Sequence, residues 1–187
     1  MAERTGLIRH LTQWVISTAL EDCAAWQRQG INLHVAVNLS AYDLHDLQLV
    51  PHVRETLNAT NLPAKRLMFE VKESAMMDNA EQATTTLAVL DQMGVNVSID
   101  DFGTGHSSLG YLSKFPVREL KLDQTFVTQM EFGGRDAAIV QAIIDLGHEL
   151  GLRIVAEGVE SHAVLVQLCR AKADVAQGMH ICEPLAP

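Results

Sequence analysis

Six short apolar runs in this chain each end on, or just before, a residue able to do chemistry. Asn38 closes the first run and Glu70 stands at the end of the second. Asp100, with Asp101 behind it, closes the third. Lys121, Glu157 and Gln177 mark the fourth, fifth and sixth. The set comprises four carboxylates, two amides and one ammonium, and no cysteine. Oxygen donors of this hardness suit Mg²⁺ or Mn²⁺ better than zinc. Four acids gathered at one place would repel one another without cations. A pair of ions, flanked or bridged by Asp100 and Asp101, accounts for the surplus. Two such ions can clamp the attacking and leaving oxygens of a phosphoryl displacement. Metal-assisted hydrolysis of a phosphate ester is therefore the chemistry these residues point to.

The elements that must position them follow from apolar periodicity. Strands are expected at 33–38, 66–71, 95–100, 119–122, 153–157 and 174–177. Helices are expected at 5–29, 43–60, 80–93, 107–113, 134–150 and 161–171, with Gly30, Gly94 and Gly151 as stop signals. Along the first helix Leu7, Leu11, Trp14, Val15, Ala19, Cys23 and Trp26 recur at helical spacing. Ile139, Ile143, Leu146 and Leu150 do so in the longest later one. Alternating strands and helices imply a parallel α/β sheet with helices packed outside it. Two closures fit, an open doubly wound sheet or a (β/α)8 barrel. The glycine-rich phosphate loop of the first is absent, since Asn38-Leu39-Ser40 stands in its place. A barrel needs eight strands, and six are legible. Strand parity places Asn38, Glu70, Asp100, Lys121 and Glu157 on the less apolar faces. In a barrel they would meet, with Gln177, at the C-terminal mouth.

Plainer roles compete with these. Asp100-Asp101 before Phe102-Gly103-Thr104-Gly105 suits a turn. The Lys121 side chain could reach solvent. Glu73 and Glu160 read more readily as loop-ordering or capping residues than as catalysts. With 187 residues, 48% of them apolar, the chain suffices for one domain, residues 1–187, and is too short for two ordinary ones. A net charge of −9 without a Lys/Arg run disfavours DNA, RNA and anionic membranes as partners. Three cysteines at no ligand spacing argue against a disulfide framework and for a reducing compartment. No apolar run reaches membrane-span length and the first residues do not read as a signal peptide, so a cytoplasmic location is expected.

In order along the chain stand Asn38-Leu39-Ser40, Glu70-Val71-Lys72-Glu73-Ser74, Asp100-Asp101-Phe102-Gly103-Thr104-Gly105, Leu120-Lys121-Leu122-Asp123, Ala156-Glu157-Gly158-Val159-Glu160 and Gln177-Gly178. Together they closely resemble the EAL domain, the family of bacterial cyclic-di-GMP phosphodiesterases, over essentially the whole chain. The resemblance implies a modified (β/α)8, TIM-like barrel that opens cyclic di-GMP to linear pGpG with Mg²⁺ or Mn²⁺. It further implies that Asn38, Glu70 and Asp100 are ligands of a first ion, with Asp100 bridging to a second beside Asp101. Lys121 resembles the lysine that orients the nucleophilic water. Glu157 resembles the general base or second-ion ligand, and Gln177 the glutamine near it. Glu73 resembles the acid that anchors the loop after Asp100-Asp101. A homodimer is implied, as is a fused or partner GGDEF or sensor domain.

Three departures from the family pattern bear on this reading. The first residues resemble the family's first helix. Two preceding strands, with the Glu-Ala-Leu motif and a phosphate-contacting arginine, are not represented, which makes the expected domain incomplete at its N-terminus. Lys72 stands where threonine is usual. Glu183 stands where a basic residue is common, and Met179 replaces a frequent aromatic. These departures motivate an alternative, a catalytically impaired EAL domain that acts as a cyclic-di-GMP receptor or protein-interaction module.

Overall fold

The computed structural model describes residues 7–103, 109–112, 114–130 and 134–185. Its elements run α1 (Leu7–Arg28), β1 (Val35–Leu39), α2 (Ala41–Leu44), α3 (Leu49–Thr60), β2 (Leu67–Lys72), α4 (Glu73–Asp78), α5 (Ala80–Gln92), β3 (Asn96–Phe102), α6 (Leu109–Leu112), β4 (Glu119–Leu122), α7 (Gln124–Gln129), α8 (Arg135–Glu149), β5 (Arg153–Ala156), α9 (His162–Ala171) and β6 (Val175–Ala176). The six strands belong to one parallel sheet in chain order. All six expected strands are present, within two residues of their expected ends. Parallel neighbours need a helical crossover, which is why strand and helix alternate.

The chain divides into two compact units, Met1–Ser98 with Ser108–Pro116, and Ile99–Ser107 with Val117–Pro187. In the first, β1 pairs with β2 so that Val37 faces Phe69 and Asn38 faces Glu70. Its core gathers Ile16 and Leu20 of α1, Leu67 and Phe69 of β2, and Leu87 and Leu90 of α5, all fully buried. In the second, β4 pairs with β5 and β5 with β6. Leu120, Leu122, Ile154, Val140 and Ile144 form its core.

Two apolar stripes differ from expectation. On α1, Leu7, Leu11 and Trp14 are exposed, whereas Thr12, Ile16, Leu20, Cys23 and Ala24 are buried. That helix carries two apolar stripes at 3.6-residue spacing, and burial selects the one that includes Ile16 and Leu20. On α8 the buried stripe is Val140, Ile144 and Gly147 rather than Ile139, Ile143, Leu146 and Leu150. A Cβ at Gly147 would lie 2.2 Å from Ile154 Cδ1, so the helix meets β5 at its one residue without a side chain.

The helix expected over 43–60 is two helices. Ser40 caps α2 through a reciprocal box with Asp43: Asp43 N–H donates to Ser40 Oγ at 3.3 Å, and Ser40 N–H donates to Asp43 Oδ2 at 2.8 Å. The helix therefore starts earlier, then ends at His45, and α3 begins afresh at Leu49. Two short helices were not expected, α4 directly after β2 and α7 after β4. The second is capped by Asp123, whose Oδ1 accepts from Thr125 N–H at 2.8 Å. The expected helix over 107–113 is represented by α6; the rest of that segment, with Thr104 and Gly105, lies outside the described residues.

Candidate active site

The site begins with β3, a strand whose alternation breaks where chemistry is wanted. Val97 and Ile99 are buried on one face, and Asp100 points to the other. In a regular strand Asp101 would turn away from Asp100. Its φ of +53° instead puts it in the left-handed region. Aspartate tolerates that region better than most residues, at a cost of about 1–3 kcal/mol. With the alternation broken, one carboxylate oxygen each from Asp100, Asp101 and Glu157 lies within 4.8 Å of the others. The adjacent acids are thus more than a turn sequence, since both lie within β3.

β4 supplies the cation. All four of its residues are buried, including Glu119 and Lys121. Lys121 Nζ lies 2.6 Å from Glu157 Oε1 and 3.5 Å from Asp100 Oδ1. Its side chain does not reach solvent; it is held between two carboxylates at 6% exposure. Glu119, two residues earlier on the same face, is itself ion-paired with Arg153 at 3.7 Å. Glu157 follows β5 directly, and its N–H donates to Leu122 O at 3.2 Å, which fixes the carboxylate beside β4. Gly158 then turns the chain at φ +69°, with a Cβ position only 2.4 Å from Gln124 Cβ. Any side chain there would push the Glu157 backbone off β4.

The group fits a hard divalent cation. Among the described residues Asp100 Oδ1 is buried without a hydrogen bond, and the Lys121 ammonium lies 3.5 Å from it. One ammonium offsets only part of the charge of three mutually close carboxylates, and a divalent cation held by their oxygens would offset the rest.

The remaining expected site residues are carried by other elements. Asn38 and Glu70 are register partners on β1 and β2 in the first unit, so their side chains share a face of the sheet; Asn38 is exposed and Glu70 half-buried. Gln177 directly follows β6, where its N–H donates to Ala156 O at 2.8 Å and its carbonyl accepts from Val159 N–H at 3.0 Å. Its position is thus tied to Glu157 through the backbone, and the residue is exposed. Glu73 is the first residue of α4, half-buried, and Glu160 is exposed between β5 and α9. The loop that Glu73 is expected to anchor extends beyond Gly103 and lies outside the described residues. Sequence reasoning missed the left-handed Asp101 and the structural part played by Ser40. The capping-box spacing Ser40-x-x-Asp43 was the available signal for the second.

Sheet and cluster together define a class: a parallel α/β protein with carboxylates and a lysine near the C-terminal ends of its strands, the carboxylates close enough together to hold a metal ion. The comparisons narrow it. A family model, the EAL domain, matches residues 1–184, and the chain belongs to that family. The signalling protein YkoW of Bacillus subtilis is 40% identical over 187 residues, covering 100% of this chain and 23% of that protein. MucR of Pseudomonas aeruginosa, a bifunctional diguanylate cyclase/cyclic di-GMP phosphodiesterase, is 42% identical over 186 residues, covering 99% of this chain and 27% of that protein. The chain thus spans about a quarter of the length of these curated relatives. A solved structure of the MucR phosphodiesterase in complex with cyclic di-GMP superposes with a TM-score of 0.93 at 42% identity. It covers 98% of this chain and 75% of that one. The fold is therefore the TIM-barrel-like α/β fold of EAL domains. Among the described residues no helix is long and apolar enough to cross a membrane.

Proposed function

We propose that this chain is a metal-dependent phosphodiesterase domain that hydrolyses cyclic di-GMP to linear 5′-pGpG in bacterial second-messenger signalling. The observation that carries the reading is the buried Asp100 carboxylate, gathered with Asp101 and Glu157 and paired, like Glu157, with the single ammonium of Lys121. Asp100, Asp101 and Glu157 would hold Mg²⁺ or Mn²⁺, two ions in all, with Asn38 and Glu70 as further ligands of the first. The ions would supply positive charge to the phosphoryl group and ease the ionisation of water at neutral pH. Lys121 donates to Glu157 and is placed to hold a water by its remaining protons. Glu157 accepts the proton that this water loses. The water oxygen bonds to phosphorus, the bond from phosphorus to one 3′-oxygen breaks, and that oxygen leaves as a hydroxyl after taking up a proton. Gln177 and Glu160 serve substrate contact or loop order, and Glu73 orders the loop after Asp101.

The likeness to MucR in complex with cyclic di-GMP supports the choice of substrate. The greater length of the relatives supports a fused or partner GGDEF or sensor domain. One domain over residues 1–187, a homodimer and a cytoplasmic location belong to the same proposal. The test is incubation of the purified chain with cyclic di-GMP and Mn²⁺, followed by chromatography for pGpG. Linear product that is absent from Asp100→Asn is expected. Saturable binding with no product would favour the receptor reading instead.

A further inference from the structure

We propose that His162 and His180 form a second cation site, one for a borderline transition-metal ion of the Zn²⁺ class. It shares no residue with the acidic cluster. The two imidazoles lie with ring centroids 5.9 Å apart and planes inclined at 57°, so they are near neighbours without being stacked. Two histidines on one tetrahedral ion, each at about 2.0–2.1 Å, have ring centres on the order of 5–6 Å apart. Both residues are exposed, so an ion can reach them without opening the fold.

Their backbones are locked to one another before any ion arrives. His180 N–H donates to Val159 O at 3.0 Å, and Val159 N–H donates to Gln177 O at 3.0 Å. Val159 is fully buried. Gly178 packs so closely on Val159 that a Cβ would lie 2.3 Å from its nitrogen and its oxygen. Three residues beyond Val159, His162 opens α9 behind the Ser161 cap, whose Oγ accepts from Val164 N–H at 3.3 Å. The two rings are thus carried by segments that share one rigid anchor, and little ordering is needed on binding. Imidazole nitrogen suits Zn²⁺, Ni²⁺ and Cu²⁺, whereas the all-carboxylate cluster suits Mg²⁺ or Mn²⁺, so donor chemistry sorts the ions between the two sites. Water would complete the coordination shell of an ion held by the two imidazoles.

The test is calorimetric titration of the whole chain with Zn²⁺ in the presence of excess Mg²⁺, which occupies the carboxylates. Histidine-ring NMR identifies the nitrogens that respond. His162 and His180 are expected to shift first, and His162→Gln or His180→Gln to weaken Zn²⁺ binding by about tenfold or more. Both side chains are exposed, so an unchanged melting temperature without zinc shows that each variant folds. Equal Zn²⁺ affinity in parent and both variants would overturn the proposal. So would a response confined to His10, His34 or His148, or binding that is lost only in Cys182→Ser.

Discussion

Asn38 and Glu70, at the ends of β1 and β2, sit where water reaches them, one exposed and the other half-buried. Asp100 and Lys121, at the ends of β3 and β4, are less than a tenth exposed. Both groups consist of polar residues near strand ends, and both are expected to face the same chemistry. The buried group, however, has its charges placed in advance. Lys121 is held at 2.6 Å from Glu157 within a region of low dielectric, where such pairings matter more and unpaired charge costs more. Asn38, the exposed member of the other pair, can be hydrated at little cost in either state. In the proposed enzyme the buried group therefore sets the geometry for catalysis, and Asn38 adds affinity.

Substitutions that break the buried group should have the largest effects. Asp100→Asn keeps the shape and removes the charge, and turnover is expected to fall by at least about a hundredfold; pGpG chromatography with and without added Mn²⁺ measures it. Lys121→Met leaves Asp100 and Glu157 without their shared ammonium. Breaking a buried ion pair costs about 3–5 kcal/mol, and the lower end applies because the Glu157 side chain is 21% exposed. Urea denaturation would show the loss, and Mg²⁺ should restore part of it by replacing the missing positive charge. If the two variants are as stable and active as the parent, the contrast between the groups fails.

Asn38→Ala sharpens the contrast from the other side. Stability should change by no more than about 0.5 kcal/mol, as for exposed substitutions generally. The concentration of Mn²⁺ needed for half-maximal activity should rise. The smallest effect belongs to Asp174, which ties β5 to α8 away from either group. Burial pushes its carboxyl up, but this is outweighed by the hydrogen bond from Ile154 N–H, by the bond and charge of His148, and by the charge of Arg153; the net direction is down. A carboxylate lowered in the folded state stabilises the protein above its unfolded value of about 3.9. That contribution fades as pH falls below this value through the folded one. With a side chain 40% exposed, the contribution is under about 1 kcal/mol. Asp174→Asn should be slightly less stable than the parent at neutral pH and should converge with it below about pH 4, as read from melting temperatures across pH.

Much of this arrangement is legible along the chain, because strands announce themselves locally. Leu67–Val71 is a short, mostly apolar run and Glu119–Leu122 alternates charged with apolar residues, and their parity assigns Glu70 and Lys121 to a face directly. Helix faces are less legible. Leu7, Leu11 and Trp14 satisfy helical spacing as well as Ile16, Leu20 and Cys23 do, and periodicity cannot choose between two stripes. The short helices α4 and α7 escape because six residues are too few to show a period. Only cap chemistry such as Asp123-x-Thr125 marks such a helix.

The residue types of the site, their order and their assignment to strand ends were determined by the sequence, because side-chain alternation is a property of each strand alone. Three features were decided by tertiary structure. Lys121 could have reached solvent; burial of all four β4 residues turned it onto Asp100 and Glu157. Asp101 would face away from Asp100 in any regular strand; its left-handed backbone brings it into the cluster, and that conformation persists only where surrounding packing offsets its strain. His162 and His180, 18 positions apart in the chain, became neighbours because backbone hydrogen bonds tie Val159 to Gln177 and His180 just beyond β5 and β6, a relation that no local pattern encodes.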